Sequence, residues 1–289
     1  MGLIKELEKP KASKHKHVDF LEDATNMLIT HLFVLYKAFV GNQKLKRPEV
    51  VFHSTKDGSF ITAPYKNSIA EIRYPADSKD KFTLHTFDII FSLYENNFPA
   101  LMFHEFAHIE HFTHAIELFG FNDSFEYIRL YTEFSAMLIE MQKAMDFQSV
   151  DADKRVSLKD KIYIGMNNVE RKTYTLSEYI AGGKAYKEKI DNLFKQHNKY
   201  KSVKNLNFLY DALSVDAMFH LASIHFLEKY CDDDCTKLVD ASMFTDVFGS
   251  DILELAEMFK TEEVTKTLLM EARALELGMK EKFLAKYGG

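Results

Sequence analysis

The chain has 289 residues, 46% hydrophobic and 28% charged, a balance that excludes a disordered polymer and leaves enough chain for a substantial core. Lys plus Arg number 37 against 43 Asp plus Glu, a formal charge of -6, so no global attraction draws the chain to nucleic acid. Two cysteines exclude a disulfide scaffold and fit a reducing, cytoplasmic setting, while 25 Phe with only 11 Gly and 5 Pro favour long helices around a Phe-rich core.

Residues 1–17 read as a loose basic tail. From Val18 to Val40 apolar residues recur at helical spacing, and Gly41 is placed to end that helix. Its most apolar stretch, Met27 to Val40, carries His31 and Lys37 and falls short of the roughly 20 residues of a membrane span. No membrane partner is expected.

Three short runs follow, Glu49 to His53, Ser59 to Ala63 and Ser68 to Tyr74, rich in β-branched and aromatic residues. Turns at Lys56-Asp57-Gly58 and Tyr65-Lys66-Asn67 separate them. They predict a small, mostly antiparallel sheet. Helical pattern returns near Thr83, and Pro99 suits the first turn of a helix running to about Leu118 and stopping at Gly120. Asp123 and Glu126 have capping-box spacing and should open the next helix, to about Met145. A charged break at Asp151 to Arg155 suggests a boundary between a domain at 18–150 and a helical region at 151–289. Within the latter, Asn205 to Tyr230, Asp251 to Phe259 and Glu262 to Leu277 read as amphipathic helices.

The chemistry is concentrated in His104-Glu105-Phe106-Ala107-His108. Two histidines four residues apart on a helix share a face, one turn apart, and both imidazoles can reach one Zn²⁺ at about 2.0–2.1 Å. Glu105 is not placed to be a ligand but can accept the proton of an attacking water. With 12 His in the chain, chance supplies roughly 0.04 such motifs at this composition.

The third ligand must come from elsewhere. His111 shares the histidine face but starts about 7–8 Å too far along the axis, at 1.5 Å per residue. His114 has the third-histidine spacing of HExxHxxGxxH, but His111 occupies the glycine position, so the helix should continue and leave His114 at the surface. Glu126, Glu133 and Glu140 share one face of the following helix. Glu133 is flanked there by Leu130, Ala136 and Met137, where a lone carboxylate needs a cation. It is the leading candidate and Glu126 the second; Glu126 and Glu140 otherwise read as a solvated acidic stripe.

With His104-Glu105-x-x-His108 followed on a second helix by Glu133-Phe134-Ser135-Ala136, the chain resembles the ImmA/IrrE family of metallopeptidases. The resemblance spans about Phe20 to Met145, where a helix and a small sheet precede the motif in the family's order. Met137 stands where that family often has Asn, and Glu140 where a small residue is usual. The resemblance implies a zinc peptidase acting on a regulatory protein, often encoded with phage or mobile elements. The expected fold is therefore α+β: a zincin-like domain with the HExxH helix, followed by a helical carboxy-terminal region. His104, His108 and Glu133 would hold Zn²⁺, Glu105 would be the catalytic base, and the Ser68 to Tyr74 strand could align a protein or peptide substrate by strand addition.

Other signals carry less. Cys231 and Cys235 lack a second pair to complete a zinc site and read as a turn with two reduced thiols. His220 and His225 are five apart, a poor chelating spacing, and suit core or interface positions, with a minor role open as transition-state donors. Seven lysines from Lys184 to Lys204 read as a solvated face, and Gly182-Gly183-Lys184 as a turn. Two rival functions remain: a non-catalytic zincin scaffold that binds a partner protein, which would not need Glu105, and a helical DNA-associated regulator, to which the net charge is adverse.

Overall fold

In the computed structural model, the described residues are 14–53, 70–75, 81–87, 98–147, 153–167, 170–180, 188–195, 203–236, 238, 240–261 and 263–288. The chain divides into two units, 1–94 and 95–289. The boundary expected near 150 falls inside the second, because the helix before it packs along a long helix after it.

In the first unit, α1 (Lys14–Phe39) starts inside the expected tail. It buries Ile29, Leu32, Phe33 and Tyr36, one stripe at helical spacing, and Gly41 follows it at a φ of 71°. Strands β1 (Glu49–His53), β2 (Ala70–Arg73) and β3 (Thr83–Phe87) form a sheet in the order β1-β3-β2. Two expectations are corrected here. The pairing is mixed, since β3 runs parallel to β1 and antiparallel to β2. Thr83 opens a strand and not a helix: Leu84 and Thr86 are fully buried while Thr83 and His85 are half-buried, a period of two that β-branched threonines favour. Strand β2 lies at an edge of the sheet. The expected Ser59 to Ala63 strand and its flanking turns lie outside the described residues, as does the Gly182-Gly183-Lys184 turn.

The second unit is mostly helical. Helix α2 (Phe98–Phe119) and helix α3 (Phe121–Ala144) are joined by Gly120 alone. They run antiparallel: Phe112 meets Phe121 near the connection, and His104 reaches Glu140 far from it. The Asp123/Glu126 capping box does not form. Helix α3 starts two residues earlier, with Gly120 as its N-cap and no side-chain cap, so Asp123 merely favours the positive helix terminus from the first turn. A capping box does occur, at a place the periodicity did not mark. Thr175 Oγ1 accepts from Glu178 N at 3.2 Å and Glu178 accepts from Thr175 N at 2.7 Å. It links an antiparallel hairpin, β4 (Lys161–Asn167) and β5 (Glu170–Thr175), to the short α4 (Leu176–Ile180).

Helix α5 (Val203–Tyr230) packs along α3, and α6 (Ser242–Phe248), α7 (Asp251–Phe259) and α8 (Lys266–Tyr287) complete the unit. The last starts later than Glu262, with Thr265 accepting from Leu268 N as its cap, and runs ten residues past Leu277. Among the described residues eleven buried phenylalanines, including Phe103, Phe106 and Phe134, fill the core of this unit. One buried ion cluster fixes α3 against its neighbours: Arg129 donates to Glu276 on α8 at 3.0 Å and to Ser214 on α5 at 3.2 Å. Glu276 is buried and also accepts from Arg273 at 3.0 Å, so each charge there has a partner. The overall layout is α+β, mostly helical with small sheets. Among the described residues no helix is long and apolar enough to cross a membrane.

Candidate metal centre

The HExxH residues lie in the middle of α2 on its buried face, where Phe103, Phe106 and Ala107 anchor the helix in the core. Burial of the neighbours gives His104 and His108 little room to turn away. Across the antiparallel pair, α3 delivers Glu133. Its Oε2 stands 3.8 Å from His104 Nε2 and 3.9 Å from His108 Nε2. Among the described residues these three form the group able to hold a metal ion, with ligand atoms all within 4.8 Å of one another. Tetrahedral ligation at 2.0–2.1 Å separates ligand atoms by about 3.3 Å, so Glu133 Oε2 would close on the two imidazoles by roughly 0.5–0.6 Å. The donor set, two imidazoles and one carboxylate, suits a borderline cation such as zinc.

The other edge of each ring is also engaged. Glu140 Oε2 approaches His104 Nδ1 to 3.0 Å as an ion pair without hydrogen-bond alignment, and Thr132 Oγ1 is hydrogen-bonded to His108 Nδ1 at 2.8 Å. Such outer partners hold a ligating imidazole in orientation. Here the structure corrects the reading of Glu140 as part of a solvated stripe. Its side chain is 14% exposed, against 23% for Glu133 and 71% for Glu126. Glu126 turns outward to Arg273 at 3.5 Å. Glu105, half-buried on α2, is close enough for its charge to act on His104.

The electrostatics describe a cluster that wants a cation. Burial alone would depress His104, but the neighbouring carboxylates of Glu133, Glu140 and Glu105 hold it up at about 10. In the metal-free protein a proton therefore sits between two carboxylates. Burial pushes His108 down to about 4, against the charge of Glu133 and helped by that of His104. Glu133, though penalised by burial, is held below the usual carboxylate range by His108, His104 and Arg129.

His111 is no ligand, yet it is buried and bonded at both ring nitrogens, to Thr132 at 3.0 Å and Ser135 at 3.1 Å. His114 is half-exposed and meets the Val264 carbonyl at 3.0 Å, outside the cluster. His220 is turned to the Asp240 carbonyl at 2.9 Å, and His225 stacks on Phe134. Cys231 and Cys235 are free thiols. Sequence reasoning missed the roles of Glu140, Thr132 and Ser135. The available signal was Gly120: in an antiparallel pair joined there, residues equally far from it face each other, as His108 and Thr132 do, twelve to either side.

No family model, no curated protein and no solved structure matches the chain. The geometry of the cluster itself therefore carries the functional reading.

Proposed function

We propose that the chain is a zinc-dependent metallopeptidase with a zincin-like fold, of the ImmA/IrrE type, that hydrolyses peptide bonds of a regulatory protein. The observation that carries this reading is the convergence of His104 Nε2 and His108 Nε2 on Glu133 Oε2, with Glu140 beside His104 Nδ1 and Thr132 bonded to His108 Nδ1. His104, His108 and Glu133 would hold Zn²⁺. When bound, the ion supplies Lewis acidity, polarising a carbonyl and lowering the pKa of a water to about 7.

Glu105 does the proton work. It follows His104 directly, stays out of the ligand set, and accepts the proton of the attacking water. As the scissile C–N bond breaks, it passes that proton to the leaving amine. Glu140 and Thr132 hold the two imidazoles still while this happens. The free thiols of Cys231 and Cys235 support placement of the enzyme in the cytoplasm.

Metal analysis of the purified protein is expected to find about one tightly held zinc per chain, lost in the double change His104→Ala/His108→Ala. Glu105→Gln is expected to keep the zinc and the fold while cleavage of candidate regulatory proteins drops by about 10²–10⁴-fold. Equal fragment yields from wild type and Glu105→Gln would remove Glu105 from the mechanism. Zinc-loaded wild type that cuts none of them would favour a scaffold that binds a partner protein without cutting it.

A further inference from the structure

The buried polar chain behind His108 has a directional constraint that the ligand triad alone does not explain. Thr132 Oγ1 lies 2.8 Å from His108 Nδ1 and 3.0 Å from His111 Nδ1. Among the described residues its hydroxyl has no other hydrogen-bond partner. A hydroxyl owns one hydrogen. If both Nδ1 atoms were acceptors, one would go unbonded; if both were donors, the threonine hydrogen would go unbonded. Either is costly in a buried site. One imidazole therefore donates to Thr132 and the other accepts from it.

We infer that Thr132 and His111 are positioning residues that set the tautomer of His108 and with it the readiness of the site for a cation. This rests on the metal reading proposed above. In one polarity His108 Nδ1–H donates to Thr132, Thr132 donates to His111 Nδ1, and His111 Nε2–H donates to Ser135. The lone pair of His108 Nε2 then faces Glu133, where a cation needs it. In the reverse polarity His108 carries its hydrogen on Nε2 and opposes a cation. The hydroxyl makes the two histidines exchange tautomers together, so a cation at His108 fixes the proton of His111, a ring it never touches. Ser135 completes the chain at 3.1 Å from His111 Nε2, and Tyr131 packs edge-on to His111 with ring centroids 5.1 Å apart. The ring is thereby kept from turning over.

The full-length protein is titrated with Zn²⁺ against a chromophoric chelator, and imidazole tautomers are read from long-range ¹H–¹⁵N correlation spectra. Thr132→Val, similar in shape but lacking the hydroxyl, is expected to weaken zinc binding by about 10–100-fold, with Thr132→Ser restoring it. Zinc-loaded wild type is expected to show His111 as the Nε2–H tautomer, a readout that needs no variant and that simple packing loss would not produce. An Nδ1–H His111 in the zinc-loaded protein overturns the relay. So does a Thr132→Val affinity within about threefold of wild type, well inside the usual loss for an outer partner, provided His104→Ala/His108→Ala still abolishes binding. Wild type that binds no zinc defeats the metal reading itself, and the relay with it.

Discussion

Glu133 and Glu140 stand seven residues apart on one face of α3 and meet different edges of the same imidazole. Glu133 faces the Nε2 atoms, where it can share an ion; Glu140 faces Nδ1, where it can only orient. Removing them should therefore have graded effects. Glu133→Ala is expected to abolish tight zinc binding, Glu140→Ala to weaken it by about 10–100-fold, and Glu126→Ala to leave it unchanged, since that side chain lies outside the cluster against Arg273. Competition titration with a chelator measures all three, and a loss in Glu126→Ala equal to that in Glu133→Ala contradicts the assignment. At this scale the grouping of His104, His108 and Glu133 was legible because local spacing sets it: i, i+4 on one helix, and a carboxylate among apolar neighbours on the next. Glu140 was misread for want of the same apolar flanks. Its partner sits on the other helix, and no local pattern along α3 reports that.

The connection between α2 and α3 sets the register that brings those partners together. Gly120 has a φ of 81° and a ψ of 168°, a region almost reserved for glycine. A Cβ there would meet nothing within 4 Å, so the constraint is backbone conformation and not space. Gly120→Ala is expected to cost about 1–3 kcal/mol in urea unfolding. Zinc affinity should fall with it, because a relaxed connection would slide Glu133 and Thr132 past the histidines. Unchanged stability would mean that the connection accepts another conformation. Helix existence was legible from apolar periodicity here, as at Asp251–Phe259, which occurs with the expected bounds. Strand β3 was not: five residues are too few for a period of two to stand out. Nor was the β4–β5 hairpin read from its residues, though Thr175 and Glu178 form the capping pair assigned to Asp123 and Glu126.

Across the whole molecule, buried histidines set how the metal-free protein responds to pH. Burial lowers His108 to about 4 and His111 to about 3, and also lowers His220 and His225. The unfolded chain takes up protons at these rings below about pH 6.5 while the folded chain does not. Stability must then fall as the pH drops from about 6.5 toward 4. His104, held up at about 10, acts in the opposite sense: its contribution is complete below pH 6.5 and is lost as the pH rises toward 10. Urea midpoints of the metal-free protein are expected to peak near neutrality, and zinc should erase the alkaline decline by replacing the His104 proton. Midpoints that rise steadily from pH 6.5 to 4.5 contradict this. The Arg129–Glu276 pair has a consequence of another kind, in time. Its partners are 147 residues apart, so a ribosome adding about 5–20 residues per second exposes Arg129 roughly 7–30 s before Glu276 is made. Asp211 and Ser214 are made during that interval and can meet the guanidinium, but α3 still lacks the buried carboxylate that seats it. The helix that carries Glu133 is among the first of its unit to be synthesised, and the buried carboxylate that pairs with its Arg129 comes from the last.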